Sequence, residues 1–108
     1  MTSVTPYCYN GKVIRWVDGD TLDIEVDLGF KVKTVQRFRL LGVDTPERGE
    51  AGFKEARQLA ESLMPSGSQA LFESMKSDKY GRWLVYLPRV SDALLANGLA
   101  VPSPSSWF

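Results

Sequence analysis

Histidine is absent from this sequence, and cysteine occurs once, at Cys8. Without histidine there is no Ser-His-Asp or Cys-His catalysis, no histidine general base and none of the usual zinc sites. With one cysteine there is no intramolecular disulfide and no all-cysteine metal centre. Net charge is also missing: 13 basic residues face 13 acidic ones, for a formal charge of zero. Nonspecific nucleic-acid binders are usually basic, because neutralising phosphates releases counterions. Any dealings with nucleic acid must therefore come from a local site. No apolar run approaches membrane-spanning length, so no membrane association is expected. The stretch from Met1 to Cys8 has neither a basic n-region nor a long apolar h-region. A cytoplasmic location is expected as the sequence stands; secretion would need a leader ahead of it. The chemistry left open is that of carboxylates, Arg, Lys, Tyr and hard, oxygen-liganded metals.

The length of 108 residues fits one domain, 1–108, with a body from about 11 to 101 and a tail over 102–108. A composition of 44% hydrophobic and 24% charged residues argues for a folded chain rather than a disordered one. The pattern predicts a strand from Lys12 to Val17, closed by the turn signal Asp18-Gly19. The next strand alternates cleanly. Leu22, Ile24, Val26 and Leu28 fall on one face, and Thr21, Asp23, Glu25 and Asp27 on the other, as in a half-buried antiparallel strand. A third strand is expected over Lys33 to Val43, with Phe38 and Leu40 facing in and Gly42 marking a bulge or close approach. A helix follows from about Gly49 to Met64, with Phe53, Ala56, Ala60 and Leu63 as its apolar stripe. Strands over Gln69 to Met75 and Trp83 to Leu87 come next. A short helix over Asp92 to Asn97 is expected to be capped by Ser91 or a neighbour. Three strands, a helix, two strands and a helix is the order of an α+β, five-stranded antiparallel OB-fold (Greek-key) barrel. By pattern alone it is one candidate among several small α+β folds.

Three polar clusters stand out: Asp18-Gly19-Asp20-Thr21, Arg39 with Asp44-Thr45-Pro46-Glu47, and Asp78-Lys79-Tyr80-Gly81-Arg82. Asp20 shares the parity of Leu22 and Ile24. Asp44 shares that of Phe38 and Leu40, provided no bulge intervenes. Two inward carboxylates at a barrel mouth repel unless a cation joins them. Carboxylate and carbonyl oxygens without His or Cys favour calcium or magnesium. Taken singly, Asp-Gly is a common hairpin turn, Asp-Thr-Pro a common strand terminator, and Arg39 an ordinary strand residue.

Taken together, the segments Val17–Thr21, Phe38–Glu47 and Asp78–Arg82 resemble, in order and spacing, the signature stretches of the staphylococcal nuclease (thermonuclease) family. The segment Val90–Ala100 is similar to the family's short helix after its fifth strand, so the resemblance covers about residues 12–101. It implies a calcium-dependent nuclease acting on DNA or RNA and leaving 3′-phosphate ends. It implies that Asp20 and Asp44 bind Ca2+ through carboxylate oxygens and Thr45 through its carbonyl. Arg39 and Arg82 would grip the phosphate, Glu47 would position or deprotonate the attacking water, and Lys79 and Tyr80 would contact a neighbouring phosphate. The alternative is a catalytically weak or inactive SNase-like OB module that binds nucleic acid or protein ligands. Such a copy is expected to lose an arginine or a metal carboxylate, and Asp20, Arg39, Asp44, Glu47 and Arg82 are all present.

Two departures from the family pattern bear on substrate handling. The segment Arg48–Gly52 is shorter than the mobile substrate loop of the family's best-known member. That member's long C-terminal helix has no counterpart before Phe108, and Trp107 or Phe108 is a candidate to stack on a base or to serve as a packing contact. Oligomeric state is left open.

Overall fold

A computed structural model describes residues 7–77 and 82–102. Strands β1 (Tyr7–Asp18), β2 (Thr21–Asp27) and β3 (Lys33–Leu40) come first, then the two-residue β4 (Val43–Asp44) and helix α1 (Phe53–Leu63). Strands β5 (Gln69–Ser77) and β6 (Trp83–Tyr86), helix α2 (Pro88–Ala96) and the short β7 (Val101–Pro102) follow. The barrel is closed in the order β1-β2-β3-β6-β5, and β4 pairs with β7 outside it. The expected α+β OB-type barrel is therefore the fold. One of its pairings is parallel: β3 runs beside β6, with Phe38 opposite Trp83 and Leu40 opposite Val85. The long path through α1 and β5 supplies the crossover that a parallel pair requires.

The barrel interior is filled by Val13, Trp16, Leu22, Ile24, Phe38 and Leu40, with Phe72 and Val85 from the last strands. Strand β1 reaches this core by an irregular route. Its register with β2 slips between Val13 and Arg15 and again between Trp16 and Asp18. These bulges allow Val13 and Trp16, three residues apart, both to face inward. The Trp16 indole N–H donates to the Met64 carbonyl at 2.8 Å, tying β1 to the end of α1. Helix α1 buries Phe53, Ala56 and Ala60, as its sequence stripe predicts, while Leu59 and Leu63 pack partly buried against the core.

Three expectations are corrected. The third strand does not run to Val43. It stops at Leu40, and Gly42 adopts φ 87°, a left-handed turn that a glycine takes at little cost. The interruption makes Val43 the buried residue of β4 and leaves the Asp44 side chain 48% exposed, so the parity argument fails for Asp44. Helix α2 starts at Pro88 rather than Asp92, because a proline at the first helical position loses no helical hydrogen bond. Ser91 is consequently a buried residue inside the helix, not its cap. The polar face of β2 is more covered than a half-solvated strand implies: Thr21 and Asp23 are both buried.

Candidate active site

Asp20 follows Gly19 in the turn between β1 and β2, and the packing there is tight. A Cβ on Gly19 would stand 2.7 Å from the Ala56 Cβ of α1 and 3.0 Å from the Thr45 Cγ2. The turn is thus wedged against the helix and the segment after β4. The Asp20 backbone carbonyl accepts the Leu40 N–H at 2.8 Å, which fixes the turn to the end of β3. Its carboxylate is buried and fully engaged. Oδ1 accepts the Thr21 hydroxyl at 3.2 Å, and Oδ2 accepts the Thr45 N–H at 3.1 Å and an Arg39 Nη2 donor at 3.5 Å.

Arg39 lies opposite Thr21 on one side and Leu84 on the other, alternating with the buried Phe38 and Leu40. Its side chain is only 11% exposed, and the same Nη2 that meets Asp20 also pairs with Asp44 Oδ1. The Gly42 turn, which spoils the parity of Asp44, is what brings it there. Asp20, Arg39, Asp44 and Thr45 therefore meet at one rim of the barrel.

In the sequence Asp18 reads only as part of a turn. The second bulge of β1 sets it opposite Thr21, beside the cluster. Burial pushes its carboxyl above the ordinary carboxylate range, and the neighbouring Asp20 charge adds to the effect. Arg48, Arg82 and Arg37 oppose it. Arg82 immediately precedes Trp83, which pairs with Phe38 beside Arg39. Arg48, also missed, lies 5.5 Å from the Phe53 ring centroid in a cation–π contact at the start of α1. No motif signal marks it apart from its place after Glu47.

Glu47 stands on the exposed loop leading to α1. Its N–H donates to Glu50 Oε1 at 2.6 Å and its carbonyl accepts the Glu50 N–H at 2.9 Å, which shapes the backbone of that loop. No hydrogen bond among the described residues joins its carboxylate to Asp20, Arg39 or Asp44. Lys79 and Tyr80 lie outside the described residues, as do Trp107 and Phe108.

A cation can be weighed against these groups. Two carboxylates converge on one guanidinium nitrogen, and the buried Thr45 Oγ1 has no hydrogen-bond partner among the described residues. The donors are all hard oxygens, which fit calcium or magnesium. No group of three or more His, Cys, Asp or Glu side chains suited to a metal is found among the described residues. A bound ion would draw on the two carboxylates, a backbone oxygen and water. Among the described residues no helix is long and apolar enough to cross a membrane.

The family model described as staphylococcal nuclease homologue matches residues 37–105. Arg39, Asp44, Glu47 and Arg82 fall inside this match, and Asp20 joins them through its contacts with Arg39 and Thr45. The chain is 39% identical over 74 residues to Protein ParB of Escherichia coli, covering 68% of this chain and 38% of that protein. It is 37% identical over 82 residues to the micrococcal nuclease of Shigella flexneri, covering 74% and 44%. With the thermonuclease of Staphylococcus hyicus the identity is 32% over 83 residues, covering 70% and 46%. The chain spans less than half the length of each of these curated relatives.

Proposed function

The chain belongs to the staphylococcal nuclease family, and we propose that it is a calcium-dependent nuclease, cleaving phosphodiester bonds of DNA or RNA to leave 3′-phosphate ends. The observation that carries this reading is the meeting of Asp20 and Asp44 on the Arg39 guanidinium, with Arg82 next to the Trp83–Phe38 pair beside it. Asp20, Asp44 and the Thr45 carbonyl would hold the calcium ion. When bound, it supplies fixed positive charge beside the scissile phosphate.

The remaining work falls to side chains of this chain. A phosphodiester is anionic and resists attack by water, and negative charge grows on its equatorial oxygens as attack proceeds. Arg39 and Arg82 present planar guanidiniums that bind two phosphate oxygens at once, which a lysine cannot do. Arg39 is held in place before substrate arrives, so little reorganisation is needed at the moment of reaction. Glu47, on its exposed loop, orients the attacking water or takes its proton. Lys79 and Tyr80 contact a neighbouring phosphate.

The test is cleavage of heat-denatured DNA by the purified protein with calcium, with magnesium alone, and with a calcium chelator. Cleavage that requires calcium and yields 3′-phosphate ends supports the reading. No cleavage in any condition by folded protein that still binds the DNA would replace it with a binding module. Within an active protein, Arg82→Ala should abolish turnover, and Glu47→Gln should slow chemistry more than binding.

A further inference from the structure

One strand step from the Thr21–Arg39 pair lies a second charged row, Arg15–Asp23–Arg37, across β1, β2 and β3. The Arg37 Nε donates to Asp23 Oδ1 at 2.9 Å and its Nη2 to Oδ2 at 3.3 Å. The Arg15 Nε donates to Oδ2 at 3.0 Å. Asp23 is buried, and the Arg37 hydrogen bond, with help from Arg15, holds its carboxyl below the ordinary range. One arginine would neutralise this carboxylate. The second adds a further positive charge, partly offset by Asp18 near Arg37, and the arginine side chains are 64% and 45% exposed.

The same bulge that turns Val13 and Trp16 into the core also sets Arg15 opposite Asp23. Val13 pairs with Ile24, so a regular ladder would bring Ile14 opposite Asp23. The bulge advances the register by one residue and places Arg15 there instead. Bulges cost ladder pairing and are used to re-aim a side chain, often beside active sites. Both arginines spend their Nε side on Asp23. Among the described residues the terminal nitrogens of Arg15 have no hydrogen-bond partner. Asp23 thus acts as a fixed post that orients two guanidinium forks outward, in the geometry suited to phosphate oxygens. The row lies roughly 6–7 Å from Arg39 along the strands, two residues at the usual rise. That is about one nucleotide step of an extended single strand.

We infer that Arg15 and Arg37, oriented by Asp23, form an accessory phosphate-binding position that carries a single-stranded nucleic acid across the β1–β2–β3 face beyond the scissile bond. The inference rests on the nucleic-acid reading of the neighbouring site. It accounts for how a chain with no net charge holds a polymer: the positive charge is concentrated where the strand lies.

The test is binding of a 12-nucleotide single strand, measured against salt with a chelator present so that the strand stays intact. Arg15→Gln, the triple variant R15Q/D23N/R37Q and the control Lys33→Gln are compared with the parent. The triple variant removes both arginines without stranding a buried carboxylate. Lys33 is a cation at the far end of the same strands whose charge is paired with Glu25. Each phosphate contact contributes about 0.7 to the salt slope of single-strand binding. Arg15→Gln should therefore weaken binding about fivefold near 0.1 M salt, and the triple variant about 25-fold, with slopes lower by about 0.7 and 1.4. Lys33→Gln should stay within about twofold of the parent. Melting curves confirm that each variant is folded. Parent-like affinity and slope in the folded triple variant, an equal loss in Lys33→Gln, or no binding by the parent overturns the row. A parent that binds with this arginine dependence yet cuts nothing upholds the row and removes the nuclease reading. A parent that cuts DNA while the arginine variants bind unchanged removes the row alone.

Discussion

Two turns close the two ends of β2, and they are built in opposite ways. At the β1–β2 turn, Gly19 leaves no room for a Cβ because Ala56 and Thr45 press on it. At the β2–β3 turn, Gly29 has no atom within 4 Å of where a Cβ would stand, and Phe30 is fully exposed. The second turn is held by its own local hydrogen bonds. The Leu28 N–H donates to the Val32 carbonyl, the Val32 N–H to the Gly29 carbonyl, and the Gly29 N–H to the Asp27 carboxylate, each at 2.8 Å. It uses three successive left-handed residues, Gly29, Phe30 and Lys31, at φ 82°, 54° and 62°. Packing thus fixes the end that carries Asp20, while local hydrogen bonds and dihedral preferences fix the other. Changes at the first end should propagate to the site; changes at the second should alter the turn and nothing further.

After the loss of turnover expected for Arg82→Ala, the largest effect is expected at Arg39. Arg39→Lys keeps a cation between Asp20 and Asp44 but loses the fork, and kcat for DNA cleavage should fall by roughly 10²–10³-fold. The melting temperature should stay close to the parent's, and a parent-like kcat would remove Arg39 from the mechanism. Next comes the pair of glycines. Gly19→Ala forces Ala56 or Thr45 to move, at about 1–3 kcal/mol of stability, and should lower activity as well, since Thr45 donates to Asp20. Gly29→Ala should cost about 1–2 kcal/mol through its positive φ, with kcat unchanged. Denaturant melts and cleavage rates on both variants decide the matter. If both lose activity alike, the contrast between the turns is wrong.

The strand order and the apolar face of β2 from Leu22 to Val26 were legible because alternation and turn residues act locally; Leu28, expected on that face, lies past the strand's end and is half exposed. The Asp18-Gly19-Asp20 turn was legible too. What sequence parity could not supply was the path of β1 and of the segment after β3. Two bulges put Lys12, Arg15 and Asp18 opposite Glu25, Asp23 and Thr21, a spacing of three where a regular strand has two. Bulges are set by what the strand must pack against, here Val13 and Trp16 in the core, and no local signal marks them. Gly42 was a visible warning, yet only the tertiary path shows that its turn exposes Asp44 while bringing it to Arg39. Asp23 and Thr21 read as solvent-facing because the arginines that cover Asp23 come from other strands, with long apolar stems that shield what lies beneath. Arg15 and Arg37 went unremarked for the same reason: each is ordinary until the register sets both against one carboxylate.

A smaller effect concerns acid stability in this middle row. The folded pKa of Asp23 is lowered, chiefly by the Arg37 hydrogen bond. Its contribution is therefore present above the unfolded value of about 3.9 and is lost as pH falls through the lower folded value. With half-exposed arginine partners it should amount to about 1 kcal/mol or less at neutral pH. Asp23→Asn should be less stable than the parent by that amount at pH 7, with the gap closing below about pH 4. A gap that stays constant from pH 7 to pH 3, measured in urea melts, would mean that the carboxylate charge stabilises nothing here.

The smallest effect should run the other way, at the open turn. Phe30 sits at φ 54°, where a side chain with a Cβ is strained by about 1–2 kcal/mol. Its ring is fully exposed and makes no burial that would repay the strain. Glycine relieves the strain but gives the unfolded chain more freedom, at about 0.5–1 kcal/mol. Phe30→Gly should therefore stabilise the fold by about 0.5 kcal/mol, a rise of roughly 2–4 °C in Tm, with cleavage unchanged. A fall in Tm that grows with protein concentration would show that the ring is covered in solution by a second molecule. In that case the turn is constrained by packing after all, and its difference from the Gly19 end lies in which chain supplies the contact.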